Sequence, residues 1–144
     1  MRRADFIRTS CTLCAFASTG MLLNFISGCV SSEIFKTAIS NSKISIPVSL
    51  FAQNTLLIVR PSGVGYDIAL RKETDEVYTA LLLRCTHADN PLTSTGNGFQ
   101  CNLHGSTFDK EGQVTKGPAE FSLTKYKTEI LSDQIIIHVN AENK

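Results

Sequence analysis

The chain has 144 residues, room for one domain of ordinary globular composition, and its 14 Lys and Arg against 13 Asp and Glu leave it nearly neutral. Nothing in the sequence suggests nucleic acid, whose binding calls for a basic stripe that is absent here. Of the five cysteines, Cys11, Cys14 and Cys29 lie in the first thirty residues while Cys85 and Cys101 lie far downstream, a distribution unlike a disulfide framework. Without the first group no spare pair remains for a bridge, so the core must be held by burial and by whatever the remaining cysteines bind.

The chain opens with the basic stretch MRRADFIR, continues with nineteen uncharged residues, TSCTLCAFASTGMLLNFIS, and closes this segment at Ile26-Ser27-Gly28-Cys29. A basic start, an apolar run and small residues before a cut are the marks of an export signal. The close resembles the lipobox of bacterial lipoproteins, an aliphatic residue and two small ones before a cysteine. That resemblance implies removal of residues 1–28 and lipidation of Cys29. The exported chain would then be anchored to a bacterial membrane and face the periplasm or exterior. The apolar length is also near the ~20 residues that span a bilayer, so an uncleaved anchor stands as the alternative. Arg2-Arg3 with Phe6-Ile7 resembles a twin-arginine signal, which exports proteins already folded around a cofactor, although two residues separate the pair from Phe6 where the usual pattern has one. Residues 29–42 include SSEIFKTAISNS, which is polar and lacks a sustained period, and are expected to form a tether.

From Lys43 onward the pattern is one of short β-type runs broken by turn residues, predicting an all-β domain over residues 43–140 built as an antiparallel sandwich or barrel. Ile44, Ile46, Val48 and Leu50 alternate with polar or small partners, and Pro47 points to an edge strand. Further strands are predicted over Thr55 to Val59, Tyr66 to Arg71, Val77 to Arg84, Leu123 to Leu131 and Gln134 to Val139, the last two as a hairpin around Ser132-Asp133. His138 lies within IIIHV on the face opposite Ile137 and Val139, and reads as a surface or satisfied strand histidine.

Between these runs, residues 85 to 109 hold two Cys/His pairs, Cys85-x-His87 and Cys101-x-x-His104, with thirteen residues between His87 and Cys101. Two thiolates and two imidazoles suit zinc, and they also suit an iron–sulfur centre of mixed ligation. Each pair offers one ligand of each type.

CTH and CNLHGSTFD, with EVYTALLLRCTH leading into the first and Lys116-Gly117-Pro118-Ala119 following the second, resemble the Rieske [2Fe-2S] family across residues 43 to 140. The resemblance implies a sandwich or barrel with a small cluster-binding subdomain of two loops and one [2Fe-2S] cluster per chain. Cys85 and Cys101 would be ligands of the inner iron and His87 and His104 of the outer. It further implies that Lys116 to Ala119 cover the cluster and that Gly105 lets the backbone pass close to it. The cross-linking cysteines found in many quinol-oxidising members are replaced here by Asn90 and Leu103, as in the ferredoxin-like branch. Ser106 keeps a hydroxyl donor to sulfur, while Phe108 stands where the high-potential branch has a tyrosine. A potential between the two branches is therefore expected, falling at alkaline pH as the outer imidazoles lose protons.

The function expected is that of an exported, lipid-anchored carrier of single electrons between redox partner proteins, with no small-molecule substrate of its own. The rivals are an electron-transfer subunit of a larger membrane or periplasmic oxidoreductase, and a non-redox binding lipoprotein. A self-contained oxygenase would need a second iron in a 2-His-1-carboxylate site, and only His138 remains once the ligands are assigned.

Overall fold

The computed structural model describes residues 34–139. The residues expected to form an export signal and lipobox, and Cys29 with them, lie outside the described residues. Eleven strands follow in order: β1 (Ile34–Thr37), β2 (Lys43–Pro47), β3 (Leu56–Pro61), β4 (Ile68–Lys72), β5 (Tyr78–Leu82), β6 (Leu92–Thr95), β7 (Gly98–Cys101), β8 (Thr107–Asp109), β9 (Val114–Lys116), β10 (Lys125–Leu131) and β11 (Gln134–His138). The only helical element among the described residues is one 3-10 turn, Val48–Phe51.

Seven strands form one sheet in the order β1-β3-β4-β5-β10-β11-β2. Its two edges, β1 and β2, are consecutive in the chain, and Ser40 and Lys43 exchange backbone hydrogen bonds in the turn that joins them. So short a link between opposite edges curls the sheet into a nearly closed barrel. Pro47 ends β2 at an edge, where a missing N–H costs no ladder bond. The predicted β10–β11 hairpin forms, with Leu131 opposite Gln134 and Ser132 and Asp133 both at positive φ. His138 sits on β11 with Nε2 2.9 Å from Glu129 Oε1 across that hairpin, a satisfied strand histidine.

The tether reading of residues 29–42 needs correction at Ile34–Thr37, which pairs with β3 as a strand. Phe35 and Ile39 pack against the barrel core, and this burial outweighs the polar composition around them. The β1–β3 pair is parallel, and every other ladder among the described residues is antiparallel.

Inside the barrel, alternate residues of β2, β3, β4, β5 and β11 meet: Ile44, Ile46, Leu57, Val59, Ile68, Leu70, Ala80, Leu82, Ile135 and Ile137 are all buried together. The other faces of β3, β4 and β5 are covered over much of their length. Ile58, Ala69, Leu81 and Leu83 form a second core with Leu92, Phe99, Phe108 and Leu123. Burial on both faces explains why β5 reads as a continuous apolar run rather than an alternation.

That second core seats a four-stranded sheet, β6-β7-β8-β9, inserted between β5 and β10. Gly98 is fixed there by close approach, because a Cβ would run into the Phe108 carbonyl oxygen on the neighbouring strand. The expected subdomain of two loops is thus two loops mounted on a sheet of their own.

Candidate metal centre

The first loop leaves β5 at Leu83 and returns at Leu92; the second joins β7 to β8. The two are wired alike. The Cys85 N–H donates to the Asn90 carbonyl at 2.8 Å and the Asp89 N–H to the Cys85 carbonyl at 3.0 Å. The Cys101 N–H donates to the Ser106 carbonyl at 2.9 Å and the Gly105 N–H to the Cys101 carbonyl at 3.0 Å. Each cysteine is therefore held by bonds to the residues four and five positions on. The residue at the fourth position adopts the left-handed conformation in both loops, with φ 48° at Asp89 and 78° at Gly105. A Cβ at Gly105 would meet no protein atom within 4 Å. The backbone angle, and not crowding by protein atoms, is what asks for glycine there. Asp89 meets the same angle with a short polar side chain, paired at 3.6 Å with Arg84.

This wiring brings the four sequence-predicted residues together as two pairs. Cys85 and Cys101 are free thiols and fully buried. His87 and His104 are exposed, with Nδ1 atoms 3.3 Å apart and rings edge-to-face at 80°. Burial pushes the Cys101 thiol up. The N–H groups of Leu103 and His104, the Cys85 thiol and the Asn90 amide more than offset this, so its pKa lies below the ordinary thiol value. A thiol poised toward thiolate is the form that binds metal. Among the described residues no three His, Cys, Asp or Glu side chains converge as a single ion would require. A buried thiol pair beneath an exposed imidazole pair matches the donor set of a two-iron cluster, and a tetrahedral zinc site would need all four around one ion.

A third segment closes over the loops. The Ala119 N–H donates to Ser106 Oγ at 3.0 Å, and Thr86 Oγ1 donates to the Phe121 carbonyl at 2.6 Å. Residues 119–121 are thus tied to the second loop and the first, in a site with no covalent cross-link between them. Ser106 is fully buried, and accepting from Ala119 leaves its own hydroxyl proton free to donate. Phe108 is buried in the apolar cluster that includes both cysteines. Near the histidines stand two exposed apolar side chains, Leu103 at 55% and Phe121 at 70%, and an open groove of about 440 Å³ runs between Thr86, His87, Pro118, Glu120 and Phe121.

Sequence reasoning passed over Thr86, Asp89 and Tyr66, whose hydroxyl donates to the Asp89 carbonyl. Asp89 had a visible signal, since it stands four residues after Cys85 as Gly105 stands four after Cys101. Thr86 and Tyr66 act across long separations that leave no local pattern.

A barrel that carries two Cys/His loops on a small second sheet matches the architecture of an iron–sulfur protein. The Rieske [2Fe-2S] domain family matches residues 49–127, more than half of the chain, and the chain belongs to that family. It binds a [2Fe-2S] cluster. It is 38% identical over 55 residues to the cytochrome b6-f complex iron-sulfur subunit of Nostoc punctiforme, covering 37% of this chain and 31% of that one. It is also 38% identical over 56 residues to the mitochondrial Rieske subunit of the cytochrome b-c1 complex of Saimiri sciureus, covering 37% of this chain and 20% of that one. These matches span a third or less of the relatives' own length. In fold it is similar to the plasma membrane Rieske protein of Synechocystis PCC 6803, with a TM-score of 0.53 at 20% identity over 65% of this chain and 97% of that one.

Proposed function

We propose that Cys85 and Cys101 hold the inner iron as thiolates, that His87 and His104 hold the outer iron through Nδ1, and that the protein passes single electrons between redox partner proteins. The observation that carries this is the stacking of a buried thiol pair beneath an exposed imidazole pair. The bound cluster supplies one-electron chemistry, and two neutral imidazoles in place of two thiolates leave it less negative, so it accepts an electron more readily. The chain's own residues keep water from the sulfurs and bring the imidazole edges to the surface. The apolar rim of Leu103 and Phe121 beside His87 and His104 offers a partner a small dry contact around the electron's exit. Purified protein should contain two iron and two labile sulfide per chain and be red-brown. Stoichiometric zinc without iron in native material would sink the ligand assignment.

The chain's setting follows from its start. Residues 1–28 serve as an export signal, and Cys29 is lipidated at a bacterial membrane with the domain facing the periplasm or exterior. β1, which begins at Ile34, belongs to the domain. This reading is supported by Ile26-Ser27-Gly28-Cys29 at the end of the uncharged run. Mass spectrometry of the native N-terminus decides it: Cys29→Ser should leave an unprocessed precursor, and native protein with an unacylated Cys29 would favour an uncleaved anchor.

A second reading, an electron-transfer subunit of a larger membrane oxidoreductase, is favoured by relatives that are subunits of cytochrome b6-f and b-c1 complexes. Co-purification of a haem protein from native membranes would select it over a free carrier.

A further inference from the structure

Asn90 stands between the two cysteines. Its carbonyl accepts the Cys85 N–H at 2.8 Å, and its side-chain Nδ2 lies 3.8 Å from Cys101 Sγ and 3.1 Å from the Pro91 carbonyl oxygen. Both side-chain neighbours are acceptors, so the amide must turn its nitrogen and not its oxygen toward them. One N–H then fixes the amide against Pro91 and the other is aimed at sulfur. Leu103, in the second loop, is more than half exposed.

We propose that Asn90 is a positioning and tuning residue that donates to the Cys101 thiolate, holding the first loop to the second where a covalent cross-link is absent and raising the reduction potential. The inference rests on Cys101 being a cluster ligand. A covalent link between the loops holds the oxidised and reduced states equally. A donor to the ligand sulfur does not, because reduction adds one electron, taking one ferric iron to ferrous, and part of that charge spreads onto sulfur. The N–H···S bond strengthens with that charge, and the reduced state gains more than the oxidised. The same bond therefore does a mechanical and an electrical task. Ser106 acts on the cluster from the side of the covering segment and Asn90 from the side of the first loop, so their effects are separable.

The test uses the cluster-loaded protein. Asn90→Leu, close in size but without a donor, should shift the midpoint potential negative in protein-film voltammetry and shorten the half-life of the visible chromophore. Asn90→Gln, which keeps the amide, should recover part of both. Wild-type protein grown with asparagine labelled with nitrogen-15 only at the side-chain amide should show a nitrogen-15 coupling in pulsed EPR of the reduced state. The coupling should survive Asn102→Ser, since the Asn102 amide is bonded to Thr93 Oγ1 at 2.9 Å, and vanish in Asn90→Leu. An unmoved potential in Asn90→Leu with the chromophore intact would overturn the proposal. If that variant cannot hold the cluster, absence of the coupling in wild type overturns it instead. Wild-type protein lacking a [2Fe-2S] spectrum would bring down the ligand assignment on which the proposal stands.

Discussion

The barrel and the small sheet are held by different forces. Five barrel strands each send at least two buried side chains into one shared interior. The strands of the small sheet are only three or four residues long. They supply chiefly Leu92, Phe99 and Phe108, and their core is completed by the outer faces of β3, β4 and β5. What holds the loops above them is polar: four backbone bonds around the cysteines and the ties from Ser106 and Thr86 to the covering segment. Burial, which is non-directional, suits a scaffold, while hydrogen bonds, which are directional, suit the aiming of ligands. Stability should therefore be uneven along the chain, with the cluster loops at the low end.

The sharpest way to break this division is Cys101→Ala. It should abolish the visible chromophore and bound iron and leave amides of β6 to β9 exchanging rapidly. Amides of β3, β5 and β11 should stay protected, as hydrogen exchange followed by mass spectrometry would report. Global loss of protection would mean that the barrel depends on the cluster. On the other side, Ile135→Ala empties a fully buried position in the barrel and should cost about 2–5 kcal/mol by urea denaturation. Its chromophore should be spectrally unchanged until the whole domain unfolds. A smaller effect is expected from Ser106→Ala, which deletes the acceptor of the Ala119 N–H and the free hydroxyl proton together. The midpoint potential should fall by some tens of millivolts, the equivalent of about 1 kcal/mol for one electron, while Phe108→Tyr should move it the other way. An unchanged potential in Ser106→Ala would show that its hydroxyl points elsewhere. Smallest is Tyr78→Phe. The Tyr78 hydroxyl is buried in the barrel without a hydrogen-bond partner, and its ring packs edge-to-face on Phe51 at 5.0 Å. Removing it should leave stability unchanged or raise it by up to about 1 kcal/mol, since a buried unpaired group carries a desolvation cost. A loss of stability would reveal a partner for that hydroxyl.

The same division governs what could be read from the sequence. Barrel strands announce themselves because Ile44 and Ile46, or Ile135 and Ile137, repeat with a period of two in a region punctuated by turns. The four ligand residues were legible because their chemistry is rare and their spacing fixed. β1 escaped because Ile34 and Phe35 lie in polar surroundings and pair with β3 in parallel, an arrangement with no hairpin turn to advertise it. β6 to β9 escaped because each holds one or two apolar residues among Thr, Ser, Gln, Gly, Asp and Lys, a composition that reads as loop until β3, β4 and β5 cover it. The ties of Thr86 to Phe121 and Ser106 to Ala119 span 35 and 13 residues and depend on the completed fold.

The twin wiring of the loops bears on speed. Changing a cluster's charge by one electron obliges nearby dipoles to readjust, and the work of that readjustment enters the barrier for every transfer. Here the cysteine backbones are each locked by two hydrogen bonds to residues of their own loop, and the N–H groups of Leu103 and His104 are already directed at the Cys101 sulfur. Donors fixed in place before the charge arrives have little distance to travel when it does. The paired loops thus build a low cost of reorganisation into the backbone around the Cys101 sulfur.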